Sequence, residues 1–127
     1  MGKRYPGDMA ISFPHRGDLY WVNLDPTIGS EIKKTRPCVV VNRDALARLP
    51  LRVILPLPEW DASFGSAAWH IPIEASAENG LTKKSSADTF QVRSISVDRL
   101  IRRLGVLSPP TMRAIFEGLA LSLALDI

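Results

Sequence analysis

The sequence predicts a mainly β fold: a small curled antiparallel barrel with one helix appended at its C-terminal end. Three observations predict it. Five or six short apolar runs are punctuated by Pro, Gly and Asn residues. The last stretch, after Ser108-Pro109-Pro110, changes to apolar spacing of the helical kind. The length, 127 residues with 46% of them hydrophobic, suits one domain with a moderate core.

Met1 to His15 contains Pro6, Gly7 and Pro14 and shows no period, so it reads as a flexible N-terminal arm ahead of a folded domain over 16–127. Lys3, Arg4, His15 and Arg16 read first as solvated residues and second as phosphate contacts. In the first strand, Leu19, Trp21 and Leu24 are apolar and Tyr20 and Val22 occupy the other face, the pattern of a strand partly covered on both sides. Asp25-Pro26 ends it, because proline cannot donate to a ladder. Thr27 to Arg36 is a longer connection than a hairpin needs, and long loops usually serve function. It carries Gly29, Ser30, Glu31, Lys33, Lys34 and Arg36. Val39 to Val41 restarts a buried β-branched strand.

Asn42 to Pro50 is a polar connection with one helical turn expected over Asp44–Arg48, and Leu51 to Leu57 is a third strand that Pro56 terminates or places at an edge. Pro58 to Gly65 is irregular. Its Trp60, between Glu59 and Asp61, is either a base-stacking platform or a lid on the core. Ala68 to Ile73 alternates Trp69, Ile71 and Ile73 with Ala68, His70 and Pro72, which places His70 outward as a solvated residue without a catalytic role. Asn79-Gly80 signals a turn, and Leu81 to Ser86 is polar and basic through Lys83 and Lys84.

Ala87 to Ile95 reads as a fifth strand with Phe90, Val92 and Ser94 on one face and Gln91 and Arg93 on the other. Val97 to Arg103 reads as a turn with a basic cluster, Arg99, Arg102 and Arg103, before a last short strand around Gly105. Ser108 is a helix N-cap and Pro109 occupies the first helical position, where a missing N–H costs nothing. Ile115, Phe116, Leu119 and Leu123 follow helical spacing and Leu121 and Leu125 add a second stripe. One face should lie on the barrel and the other suggests self-association.

The formal charge of +3 and pI near 9.4 are compatible with a polyanionic ligand without demanding one. The single Cys38 excludes an intramolecular disulfide and reads as a small buried hydrophobe. Two histidines and one cysteine give no zinc-spaced cluster, and no other metal or cofactor motif is present. With no apolar run long enough to cross a bilayer and no signal-peptide core, a soluble cytoplasmic protein without a membrane partner is expected.

Gly17-Asp-Leu-Tyr-Trp-Val-Asn-Leu-Asp-Pro-Thr-Ile-Gly-Ser-Glu31, followed by Arg36-Pro37 and the valine run, resembles the opening of the MazF/PemK family of toxin endoribonucleases. Phe90-Gln91-Val92-Arg93-Ser94-Ile95 with Asp98-Arg99-Leu100 is similar to the family's second signature. Leu119-Ala-Leu-Ser-Leu-Ala-Leu125 resembles its terminal helix. The resemblance spans 16–127. It implies an SH3-like barrel, a homodimer and a type II toxin. Such a toxin cuts single-stranded RNA at a short sequence without metal and leaves a 2′,3′-cyclic phosphate. The implied partners are RNA and a cognate antitoxin with an acidic disordered tail, with promoter DNA met only through the antitoxin complex.

Cleaving RNA in this way needs a base for the 2′-OH proton, a cation for the phosphorane oxygens and an acid for the leaving oxygen. Arg36 matches the family's catalytic arginine, and its planar fork fits a phosphate bidentately. From spacing alone the reading as a surface arginine answering Glu31 or Asp25 wins, and it is the resemblance that reverses this. Glu31 is the candidate base or orienter of Arg36. Ser30, Lys33, Lys34, Gln91 and Trp60 are candidate RNA contacts, and Ser30, Glu31 and Gln91 each have the alternative of capping a loop. The sequence departs from the family at Pro58, which stands where a catalytic threonine is common. Glu59, Ser63 or Ser66 would then supply the missing group, or activity is weakened or lost. A second reading follows from that departure: a non-catalytic protein of the same fold that binds RNA, antitoxin or DNA gyrase.

Overall fold

The computed structural model describes residues 14–46 and 48–126. The strands are β1 (Asp18–Asn23), β2 (Thr35–Val40), β3 (Leu51–Pro56), β4 (His70–Ile73), β5 (Ser85–Asp88), β6 (Arg93–Ser96) and β7 (Leu100–Val106), followed by the helix α1 (Pro109–Leu123). Five strands form one antiparallel sheet in the order β6-β3-β2-β1-β7, and β4 pairs with β5 in a second. A single bridge, Glu59 to Ser85, carries the chain beyond β3 onto β5. The architecture is the expected one, mainly β with a terminal helix.

Both faces of the large sheet are covered, as the two-sided apolar pattern of β1 and β2 requires. Leu19, Val39, Leu55, Leu57, Ile73, Leu107 and Ile115 pack on one side, where the small sheet and α1 close over it. Val22, Leu24, Cys38, Val40, Ile54 and Ile95 pack on the other.

The helix forms as read. The Ser108 side chain accepts a hydrogen bond from Thr111 N, proline occupies the first turn, and Ala124 ends the helix in the left-handed region at φ 57°. Ile115, fully buried, anchors α1, a burial that contributes about 2–3 kcal/mol. Gly118 permits the close approach, since a Cβ there would lie 2.9 Å from Thr89 Cγ2. Phe116, Leu121, Leu123 and Leu125 remain exposed.

Several expectations need correction. Among the described residues seven strands replace five or six. Ala87–Ile95 is not one strand: the Asp88 carboxylate accepts from Phe90 N at 3.1 Å and starts a 3₁₀ turn over Thr89–Gln91. Thr89 Oγ1 holds that turn against Trp69 O (2.8 Å), Gly118 O (3.1 Å) and Ser122 Oγ (2.9 Å). Phe90 is thereby turned out and is 70% exposed.

The basic turn is shorter than expected, Val97–Arg99, because Arg102 and Arg103 lie within β7. Arg103 Nη2 donates to the buried Asp18 carboxylate at 3.0 Å, and Arg102 lies 5.9 Å from the Trp21 ring. Thr35 and Arg36 belong to β2 rather than to the loop. The Asp44 turn is a 3₁₀ turn ending at Leu46. Trp69 precedes β4 and points outward, whereas Ile73 is buried. His70 is half-buried rather than solvated.

Most of the expected arm, 1–13, lies outside the described residues, but its last two residues are tied to the domain. Pro14 O accepts from Arg52 Nε at 3.1 Å and His15 N donates to Asp18 Oδ2 at 2.8 Å. Arg16 donates to Val41 O. At the far edge of the large sheet, the turn after Glu78 seals the end of β7. Val106 N donates to Glu78 O at 2.9 Å, and a Cβ on Gly105 would stand 2.2 Å from that same oxygen.

Candidate functional site

The connection between β1 and β2 is held at its base by one carboxylate. Asp25 Oδ1 accepts from Lys34 N and from Thr27 Oγ1, both at 3.1 Å, while Leu24 N donates to Lys34 O at 3.0 Å. Lys34 takes a left-handed backbone at φ 71°, and the Asp25-Pro26 bond is cis. At the tip, Glu31 Oε1 accepts from Ile28 N at 2.8 Å, so the carboxylate closes its own turn. Gln91 reaches across from the 3₁₀ turn and clasps the loop with both ends of its amide. Its Oε1 accepts from Ile32 N at 2.8 Å and its Nε2 donates to Ser30 O at 3.0 Å. Arg93 and Arg99 donate to the carbonyls of Leu24 (3.2 Å) and Asn23 (3.1 Å) below it.

Arg36 stands opposite Val22 in the β1–β2 ladder. Its Nε donates to Lys33 O at 3.1 Å, the one hydrogen bond of its side chain among the described residues. It lines a cleft of about 400 Å³ together with Trp21, Glu59, Lys83, Ser85 and Arg102. Thr35 and Thr82 add two hydroxyls to the same walls. Glu59 and Lys83 sit 3.4 Å apart, and since both side chains are mostly exposed this pair adds little stability. Three cations and one carboxylate thus converge on one opening.

Glu31, Ser30 and Gln91 line a different recess, of about 510 Å³, with Ile28, Phe90 and Arg93. The structure therefore does not bring Glu31 to Arg36, against expectation. Strand geometry is the reason: Arg36 is within β2, while Glu31 belongs to a turn that folds back onto Gln91. Lys33 and Lys34 are exposed on the loop, and Lys33 contributes its carbonyl to Arg36. Trp60 is half-buried, in edge contact with Phe64.

Of the three groups considered for the place of the missing threonine, only Glu59 lines the cleft. Ser63 donates its hydroxyl to Asp61 Oδ1 at 2.7 Å and, like Ser66, lies on the 3₁₀ turn over Ala62–Ser66. Pro58 itself serves the backbone, its carbonyl accepting from Ser86 N at 2.9 Å. Arg102, Trp21, Thr82 and Ser85 were not singled out from sequence. Trp21 lies on β1, Arg102 reaches the cleft through the return of β7, and Thr82 and Ser85 reach it through the turn into β5, placements for which no local signal exists.

Behind Arg36, burial pushes the Cys38 thiol up to about 12, which keeps it neutral. Among the described residues no group of three or more His, Cys, Asp or Glu side chains gathers as metal ligands, and no helix is long and apolar enough to cross a membrane.

Residues 15–123 match a family model described as the PemK-like, MazF-like toxin of type II toxin-antitoxin systems. Endoribonuclease MazF9 of Mycobacterium tuberculosis (strain ATCC 25618 / H37Rv) is 33% identical over 114 residues, 87% of this chain and 96% of that protein. Endoribonuclease EndoA of Bacillus subtilis (strain 168) is 30% identical over 110 residues, 87% of this chain and 94% of that protein. Among solved structures, Mycobacterium tuberculosis toxin MazF-mt6 superposes with a TM-score of 0.71 at 22% identity, covering 87% of this chain and 99% of that one. A mycobacterial endoribonuclease solved with its cognate antitoxin gives a TM-score of 0.71 at 22% identity, covering 91% and 99%. At such identity these two carry the fold.

Proposed function

The chain belongs to the PemK/MazF family of toxins of type II toxin–antitoxin systems, and we propose that it acts as their endoribonuclease, cutting single-stranded RNA at a short sequence without metal. The observation that carries this reading is the Arg36 cleft, where a guanidinium with a single bond among the described residues shares an opening with one carboxylate and two further cations.

In this reading the 2′-oxygen of a ribose is the nucleophile, which restricts the reaction to RNA. Glu59 takes the 2′-OH proton as the O2′–P bond forms. Arg36 holds the non-bridging oxygens as charge builds on them, assisted by Arg102. The P–O5′ bond breaks, and the Lys83 ammonium, paired with Glu59, gives the leaving 5′-oxygen its proton. The products are a 2′,3′-cyclic phosphate and a 5′-hydroxyl, and the proton on Glu59 returns to Lys83. Glu59 occupies the role left open by Pro58. Ser30, Glu31 and Gln91 act on the loop, and Lys33 and Lys34 on the RNA backbone.

The exposed apolar stripe of α1 supports a homodimer, and a basic toxin suits an acidic antitoxin tail that also brings it to promoter DNA. The place of action is the cytoplasm, where RNA and antitoxin are found. The test is incubation of purified protein with mixed RNA in EDTA, beside Arg36→Ala. Cleavage by the wild type alone, with cyclic-phosphate ends, is the expected result. Cleavage absent from both, or equal in both, removes the proposal and leaves the non-catalytic binder of RNA, antitoxin or DNA gyrase.

A further inference from the structure

Next to the Arg36 cleft the surface carries a row of four aromatic rings. Trp60 meets Phe64 edge-on, with centroids 5.6 Å apart at 87°. Phe64 stacks flat on His70 at 3.7 Å and 5°, and Trp69 follows His70 at 5.9 Å. None of the four rings is buried, and Trp69 is 42% exposed. A core lid would hide its rings; this row shows them.

Their backbones are fixed nonetheless. Asp61 caps the 3₁₀ turn that carries Phe64, and His70 Nδ1 lies 2.8 Å from the hydroxyl of the buried Ser86. The carbonyl of Trp69 accepts from both Thr89 N (3.0 Å) and Thr89 Oγ1 (2.8 Å). The backbone beneath the row is therefore tied before any ligand arrives, which lowers the ordering entropy that stacking costs.

It is also continuous with the cleft. Glu59 and Lys83 line the cleft, while the residues that follow them, Trp60 and Lys84, hold one another. Trp60 N donates to Lys84 O at 2.9 Å, and Lys84 Nζ sits 4.8 Å from the Trp60 ring centroid. Lys84 also lies 3.5 Å from Glu74 Oε2, an exposed pair that a phosphate would replace at little cost. Asp61, kept ionised by the N–H and hydroxyl of Ser63, repels phosphate from its own side of Trp60. Flat rings beside two ammonium groups, with a carboxylate near them, suit bases laid on the rings and a sugar-phosphate chain steered to Lys83 and Lys84.

We propose that the Trp60–Phe64–His70–Trp69 row is a stacking subsite for nucleotides flanking the cut on one side, making the enzyme favour longer single strands over minimal ones. This rests on the endoribonuclease reading of the Arg36 cleft, and the test separates the two. Binding of fluorescently labelled, 2′-deoxy-substituted oligonucleotides is measured by anisotropy for wild type, Trp69→Ala and Trp69→Phe, using a long strand and a minimal one. Loss of about 10-fold in affinity for the long strand by Trp69→Ala, with Trp69→Phe near wild type and the minimal strand unaffected, is expected. Equal binding of the long strand by Trp69→Ala and wild type overturns the subsite, as does a loss of antitoxin binding with RNA binding intact. If wild type binds the long strand and Trp69→Ala weakens it, yet all-ribose RNA is not cut, the subsite stands and the endoribonuclease reading fails.

Discussion

Two recesses border the loop between β1 and β2, and they differ in what their polar atoms do. In the recess of Ser30, Glu31 and Gln91, the polar groups already have partners: Glu31 closes the Ile28 turn, and Gln91 binds the loop through both ends of its amide. In the Arg36 cleft, the guanidinium makes one bond among the described residues and the Glu59–Lys83 pair is exposed. Groups that answer each other shape a backbone; groups left facing an opening await a ligand. Sequence proximity hides this difference, since Glu31 and Arg36 lie in one motif and yet line two recesses.

The sharpest way to break the comparison is to remove one group from each recess. Arg36→Ala should lower RNA cleavage by about 1000-fold, the loss typical of deleting a donor to a developing oxyanion, with thermal unfolding little changed. Next in size, Glu59→Gln should reduce the rate by about 100-fold by removing the proton acceptor, while Glu31→Gln should stay within a few-fold of wild type. Measured single-turnover rates in the reverse order would move the base to Glu31 and erase the division between the recesses. Gln91→Ala removes two hydrogen bonds worth about 1–2 kcal/mol together. It should show as faster amide exchange over Ser30 to Ile32, with the rest of the β-sheet protected as before. If exchange rises across the whole protein instead, Gln91 is a core support and not a clasp.

The effect least visible at neutral pH belongs to the core behind Arg36. Burial raises the Cys38 thiol from its ordinary 9.0 to about 12. The folded thiol stays neutral where the unfolded one ionises, so its stabilising contribution is complete below pH 9.0 and is lost as pH climbs through about 12. Cys38→Ser should flatten that alkaline loss in urea titrations; an unchanged pH profile would place the titrating group elsewhere.

Much of the fold was legible because its signals are local. Ser108 and Pro109 announce α1, Asp25-Pro26 ends β1, and the valine run marks β2. The failures arose where distant groups decide. Alternation across Ala87–Ile95 suggested one strand, but Asp88 and Thr89 find partners on the backbone, on α1 and beside Trp69, and bend the chain into a 3₁₀ turn. Arg102 and Arg103 read as part of a basic turn; Asp18 and the Trp21 ring give them company inside β7. Arg36, proposed through its motif, lines the cleft. Glu59 stood as one of three substitutes for a hydroxyl, and only the Glu59–Ser85 bridge and the Lys83 contact put it on the cleft wall.

The seal between Glu78 and the end of β7 bears on how such a protein stays dispersed. A strand at the border of a sheet offers its backbone to any passing chain, and fibrous clumping begins by that offer. Here the amide of Val106 is occupied by Glu78 and the fit leaves no room for a side chain at Gly105. A newly made copy released near its siblings therefore presents a blunted margin there. Replacing Gly105 by any larger residue would pry the turn away and reopen that margin to cross-strand pairing between molecules.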